Sequence, residues 1–190
     1  MPRTPRPEVL VSVDVETSGP TPGTGSLLSL GACLVTDPAQ TFYREIAPID
    51  GLPWDRATER VHGLTRTHLA AAGVPPAAAM ADFVAWVGVV APAPARPVFV
   101  GFNAPFDWMF VADYLHRFAG VNPFGHGALD LKALYMGRHG VPRWAETTQE
   151  HVRRAHPVTE RGTHHALDDA RVQALLARSL LDRTGADDAG

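Results

Sequence analysis

Val9-Leu10-Val11-Ser12-Val13-Asp14-Val15-Glu16-Thr17-Ser18-Gly19 decides how the rest of the chain is read. Its valine content and closing glycine predict a short β-strand, about 9–15, that ends in a turn. Asp14 and Glu16 are spaced i, i+2, so alternation along a strand puts both carboxylates on one face. With a rise of about 3.3 Å per residue, their Cβ atoms lie roughly 6–7 Å apart. Two acids held that close on a rigid element repel each other unless something positive sits between them. The expected charge is a divalent cation, or a pair spaced about 3.5–4 Å. A lone D-x-E is more often the polar face of an edge strand, so its meaning depends on what else the chain brings to it.

Downstream, Gly19-Pro-Thr-Pro-Gly-Thr-Gly25 is a turn-rich loop. Residues 26–36 and 41–47 read as two more strands, and the short Asp37-Pro38 connection makes them an antiparallel hairpin. Helical signals follow. Residues 54–61 form a short helix with Gly63 as its C-cap, and Thr65 caps another that reaches about 71. Pro75-Pro76 opens a longer helix whose buried face is Met80, Phe83, Val84, Val87 and Ala91. A fourth strand, 98–102, then implies a parallel crossover onto the first sheet. Asn103-Ala104-Pro105 begins a helix with proline in its first turn. Phe106, Met109, Phe110, Tyr114 and Phe118 share its helical spacing. Short pieces are expected at 128–131 (strand), 131–137 (helix) and 146–155 (helix), and a last helix opens near His164.

The 190 residues suit one domain with a sizeable core. We place an arm at 1–8, the domain at 9–184 and a frayed tail at 185–190. No apolar run is long enough for a signal peptide or a membrane span. The single cysteine, Cys33, excludes an internal disulfide and fits the reducing cytoplasm. A net charge of −3 leaves no whole-protein electrostatic footprint for nucleic acid. Any such binding has to be local or to borrow positive charge from metal ions.

Two more groups carry chemistry. Asp107 falls in the first turn of the helix after strand four, where an acid complements the helix N-terminus in any protein. Near the C-terminus the chain reads Thr163-His164-His165-Ala166-Leu167-Asp168-Asp169-Ala170. Residues five apart on a helix are separated by about 140°. His164 and Asp169 can therefore converge on one site only if His164 sits in the loop before the helix.

The order D-x-E-T-x-G (14–19), N-A-x-F-D (103–107) and H-x-A-L-x-D-A (164–170) resembles the DEDDh 3′–5′ exonucleases. That family includes the proofreading subunit of bacterial replicative polymerase, RNase T and oligoribonuclease. The resemblance spans roughly residues 9–180, and His62-Gly63-Leu64-Thr65 matches a further family signature. It implies an α/β fold of the ribonuclease H-like type: a mixed five-stranded sheet of order 3-2-1-4-5, strand two antiparallel, with helices on both faces. It implies Asp14, Glu16, Asp107 and Asp169 as metal ligands and His164 as general base. It also implies that Thr17 and Gly19 meet the terminal nucleotide through backbone groups, with Val61, His62 and Phe106 packed on its base or sugar. Plain core packing is an equal reading for Val61 and Phe106. Phe102 stands where many relatives of the proofreading type have histidine. Arg138, Arg143, Arg153, Arg154 and Arg161 are candidates to line an incoming strand, although a solvated surface is the commoner fate of such residues.

Four carboxylates without a cysteine ligand favour two Mg²⁺ or Mn²⁺ ions over zinc. One cation held by Asp14, Glu16 and Asp169 would lower the pKa of its bound water, and an imidazole could take that proton near neutral pH. A second, held mainly through Asp14, would stabilise the departing 3′ oxygen, with Asp107 reaching it through water. The expected activity is hydrolysis at the 3′ end of single-stranded DNA or RNA, releasing nucleoside 5′-monophosphates. Several relatives are homodimers, so the resemblance allows a homodimer here. A polymerase partner is allowed but not favoured, because the sequence has no long C-terminal extension to dock one. A non-catalytic nucleic-acid-binding module of the same fold is disfavoured by the intact acids and His164.

Overall fold

The computed structural model describes residues 5–182. Residues 1–4 of the expected arm and all of the expected tail, 185–190, lie outside the described residues. Of the arm, Pro7 already accepts a backbone hydrogen bond from Arg96 at 2.8 Å, and the first strand opens at Glu8.

Among the described residues, five strands form one mixed sheet: β1 (Glu8–Thr17), β2 (Leu27–Leu34), β3 (Thr41–Glu45), β4 (Arg96–Gly101) and β5 (Ala128–Asp130). Their order is β3-β2-β1-β4-β5. β2 is antiparallel to β1 and β3, β4 is parallel to β1, and β5 is parallel to β4. β1 therefore lies at the centre, with a neighbour on each edge, and is not the edge strand that a lone D-x-E usually marks.

Among the described residues there are seven α-helices: α1 (Arg56–His62), α2 (Arg66–Ala72), α3 (Pro76–Val90), α4 (Ala104–Tyr114), α5 (Leu131–His139), α6 (Gln149–Ala155) and α7 (Ala166–Leu181). The pleat of β1 divides its side chains between two cores. Val11, Val13 and Val15 face α3 and α4, packing with Phe83, Phe99 and Phe110. On the opposite face, Cys33, Val35 and Val100 pack with Leu131, Val152 and the α7 residues Val172, Leu176 and Leu180. Ser12, Asp14 and Glu16 share that second face. The Ser12 hydroxyl donates to Ala170 O at 2.8 Å and ties β1 directly to α7.

Local chemistry sets the helix ends near the site. Asp55 accepts from Ala57 N, Gly63 takes the left-handed C-cap with φ +75°, and Thr65 accepts from His68 N. α4 stops earlier than its apolar spacing suggests. After Tyr114 the chain widens into a π-type turn over Leu115–Ala119, ended by Gly120 at φ +67°. The buried Tyr114 hydroxyl accepts Leu27 N at 2.9 Å and anchors that end of α4 to β2. Among the described residues no helix is long and apolar enough to cross a membrane.

Gly31 sets how closely α7 can approach. It lies on β2 opposite Asp14. A Cβ there would stand 2.2 Å from Leu167 N and 2.3 Å from Ala166 C. The first turn of α7 rests on that bare backbone, so glycine is required by contact and not by φ.

Gly31→Ala should force α7 off the sheet. Overpacking of this kind costs about 1–3 kcal/mol, and each kcal/mol lowers Tm by roughly 2–4 °C in a chain of this size. Thermal unfolding checks the loss; an unchanged Tm would mean that α7 is not seated on Gly31.

Candidate active site

Three elements bring acids to one end of the sheet. Asp14 and Glu16 project from β1 and are half-buried. Asp107 comes from the first turn of α4, is buried, and accepts Val15 N at 3.1 Å through Oδ1. Asp169 comes from the first turn of α7 and accepts Thr163 N at 3.0 Å through Oδ1. α7 begins at Ala166, so His164 lies in the preceding loop, exposed, at φ +57°. That placement lets it share a site with Asp169, which a helical His164 could not do. Glu16, His164 and Asp169 present ligand atoms within 4.8 Å of one another.

The acids perturb one another. Burial, with Asp107, Asp169 and Glu16 adding to it, holds the Asp14 carboxyl well above the usual carboxylate range. Burial pushes Glu16 up to about 8, helped by Asp169 and Asp107. Asp107 rises to about 7: burial outweighs the backbone N–H groups that favour its ionised form, and Asp130 and Asp169 add to the rise. Asp169 is raised by burial, against the opposing pull of Thr163 N–H and His164. Each acid resists ionisation because the others are present and water is scarce. An all-oxygen carboxylate set with one imidazole fits a hard divalent cation, which would remove that repulsion.

Two residues that support the acids are not singled out by sequence reasoning. Gln173 is buried one helical turn beyond Asp169. Its Nε2 donates to Asp14 Oδ1 at 2.5 Å, while its Oε1 accepts Phe102 N at 3.0 Å. The side chain fixes one oxygen of Asp14 and ties β1, the residue after β4 and α7 together at the site. The i+4 spacing from Asp169 was the available signal, since it places both on one face of α7. Gly162 is the second such residue, because a Cβ there would lie 2.3 Å from Asp169 Oδ1.

A pocket of about 170 Å³ adjoins the acids and is lined by Val15, Glu16, Thr17, Thr58, Val61, His62 and Phe106. It gathers Thr17, Val61, His62 and Phe106, and leaves Gly19 outside its lining. Val61 is 54% exposed, so core packing does not account for it. Gly19 is buried in the turn after β1, where its carbonyl accepts the Thr17 hydroxyl at 2.9 Å. On the other side of the acids, a hollow of about 400 Å³ is lined by Gln149, Glu150, Arg153, Arg161, Gly162, His164 and Asp169.

Four of the five candidate arginines have local partners. Arg138 donates to Leu180 O at 2.7 Å, Arg143 pairs with Glu146, and Arg154 pairs with Glu150 at 3.1 Å. Arg153 donates to Val158 O at 2.9 Å and to Glu160 O. Of the five, Arg153 and Arg161 border the hollow next to the acids.

No family model matches the chain. An Escherichia coli protein, 3′-5′ DNA exonuclease Cap18, is 43% identical over 178 residues, covering 93% of this chain and 92% of that protein. Among solved structures, the nuclease domain of 3′hExo, described as a DEDDh family member bound to rAMP, superposes with a TM-score of 0.72. It is 13% identical, and the match covers 89% of each chain. E. coli exonuclease I in complex with a dA16 oligonucleotide gives a TM-score of 0.68 at 16% identity, covering 91% of this chain and 40% of that one. At those identities the two structures speak to the fold alone.

The raised acids have a consequence for stability. Glu16 is protonated in the folded, cation-free chain up to about pH 8, and Asp107 up to about pH 7, whereas both ionise near pH 4 when unfolded. The folded state therefore holds more protons between those values, so stability falls as pH rises. Urea unfolding in chelator should show the protein most stable near pH 4–5 and progressively weaker up to about pH 8. Asp14→Asn should flatten that decline. A wild-type profile that is level or rises over this window would contradict the clustering.

Proposed function

The chain belongs to the DEDDh family of 3′–5′ exonucleases, and from that membership we propose a two-cation hydrolysis of single-stranded 3′ ends with His164 as general base. The observation that carries this reading is the convergence of Asp14, Glu16, Asp107 and Asp169, each with its carboxyl raised in the cation-free chain. These four side chains would hold two divalent cations, Mg²⁺ or Mn²⁺. When bound, the cations would supply positive charge that lowers the pKa of a coordinated water and stabilises the departing 3′ oxygen.

The protein's own groups do the rest. Gln173 keeps one Asp14 oxygen oriented by its amide N–H. Val15 N–H does the same for Asp107. The pocket formed by Thr17, Val61, His62 and Phe106 takes the terminal nucleoside, with Phe106 and Val61 against base or sugar. Contact of this kind tolerates any base. Thr17 meets the same nucleotide through backbone groups, and Gly19, outside the lining, supports it by accepting the Thr17 hydroxyl. His164, exposed at the edge of the acids, accepts the proton of the attacking water. The products are a nucleoside 5′-monophosphate and a strand shorter by one nucleotide.

The relative named as a DNA exonuclease supports DNA as the substrate. The one thiol, Cys33, is buried and pushed up to about 12 by burial. An inert buried thiol with no disulfide partner supports a cytoplasmic setting.

His164→Ala should lower kcat on a short single-stranded DNA by about 10²–10⁴-fold, with the circular dichroism spectrum unchanged. Chelator should abolish turnover, and either Mg²⁺ or Mn²⁺ should restore it. Matched single-stranded RNA should be trimmed more slowly. Near-wild-type turnover in His164→Ala, or in chelator, would reject the mechanism.

A further inference from the structure

The proposed mechanism makes no use of Tyr43 and His165, although the two meet beside the site. Their rings stack with centroids 4.5 Å apart and planes at 25°. Tyr43 lies on β3 opposite Gly31, and Gly31 lies on β2 opposite Asp14. Directly opposed residues share a face, so Asp14, Gly31 and Tyr43 form a row across three strands, on the face that α7 covers. From its N-cap to its middle, α7 is held at three points along that row. Gln173 binds Asp14, the backbone of Ala166 and Leu167 rests on Gly31, and His165 stacks on Tyr43. Tyr43 is steadied in turn. Its hydroxyl donates to Glu45 Oε1 at 3.3 Å, and Glu45 pairs with His68 of α2 at 2.5 Å.

This matters for the residue next to His165. His164 sits at φ +57°, in the left-handed region that non-glycine residues avoid. Such a conformation persists only where its surroundings over-determine it. On one side, Thr163 donates its hydroxyl to Asp168 Oδ2 at 3.0 Å and its N–H to Asp169 Oδ1 at 3.0 Å. On the other side the side-chain restraint is the stack on Tyr43, with His165 also 3.9 Å from Asp168.

We propose that Tyr43 is a positioning residue for His164: by stacking on His165 it clamps the far end of the left-handed turn and holds the imidazole beside Glu16 and Asp169. The inference rests on the reading of His164 as general base. Without the stack, the turn relaxes towards ordinary φ values and carries the imidazole away from the attacking water. Tyr43 itself touches no reacting atom.

Steady-state assays on single-stranded DNA test this with Tyr43→Leu, Tyr43→Phe, His165→Ala, His164→Ala and the Tyr43→Leu/His164→Ala pair. Misplacement by about 1 Å can cost about 100-fold in rate. Tyr43→Leu and the exposed-site variant His165→Ala should each lower kcat about 10- to 100-fold with KM little changed. Tyr43→Phe keeps the ring and should retain most of kcat. In the His164→Ala background, Tyr43→Leu should add no further loss, because its effect runs only through the imidazole. Calorimetric affinity of Tyr43→Leu for a deoxynucleoside 5′-monophosphate with Mn²⁺ should match wild type; if residual His164→Ala turnover is too low to compare, this affinity and the Phe rescue decide. Wild-type kcat in Tyr43→Leu, a further loss in the His164→Ala background, or nucleotide affinity falling in step with kcat would each overturn the inference while leaving the base assignment standing. Wild-type turnover in His164→Ala would instead remove the base on which the inference rests.

Discussion

Four carboxyl groups pressed together where water is scarce repel one another, and the fold holds them there regardless. Nothing in the packing of a sheet requires Asp14, Glu16, Asp107 and Asp169 to meet. Their meeting weakens the cation-free chain, since each must stay protonated or be neutralised by a cation. Proteins keep such arrangements at functional sites, where shifted carboxylates and a bound ion are two faces of one design.

The architecture explains how so strained a cluster is kept in register. β1 is central, so its acids have a rigid base with neighbours on both sides. The parallel crossover to β4 delivers α4, whose first turn brings Asp107 within reach of Val15 N–H. The last helix returns across the sheet and is seated by Ser12, Gly31 and Gln173. Both Asp169 and the turn containing His164 are therefore located by how α7 lies on β1 and β2. Two hollows then open beside the acids: an apolar pocket towards α1 and α4, and a polar one towards α6.

Much of this was legible in the sequence because it was local. Alternation along Val9–Gly19 puts Asp14 and Glu16 on one face, and Gly63 and Thr65 announce their caps. The requirement that His164 leave the helix followed from the angle between residues five apart. What stayed hidden depends on register between distant strands. Gly31 reads as an ordinary strand residue until β2 is aligned on β1 and α7 is laid over the pair. Tyr43 and His165 are 122 positions apart and meet only because β3 occupies the sheet edge beneath the start of α7. Gln173 was within reach as the i+4 neighbour of Asp169, but a buried glutamine on an apolar helix face has no motif to mark it. The π-type turn after Tyr114 likewise breaks an apolar periodicity that continues to Phe118.

The central claim is that these four acids exist to bind cations, and crystals soaked in Mn²⁺ with a nucleoside 5′-monophosphate test it most directly. The anomalous difference map should show two peaks among the carboxylates of Asp14, Glu16, Asp107 and Asp169. A map without peaks there at millimolar Mn²⁺, or with Mn²⁺ bound only elsewhere on the protein, would contradict it.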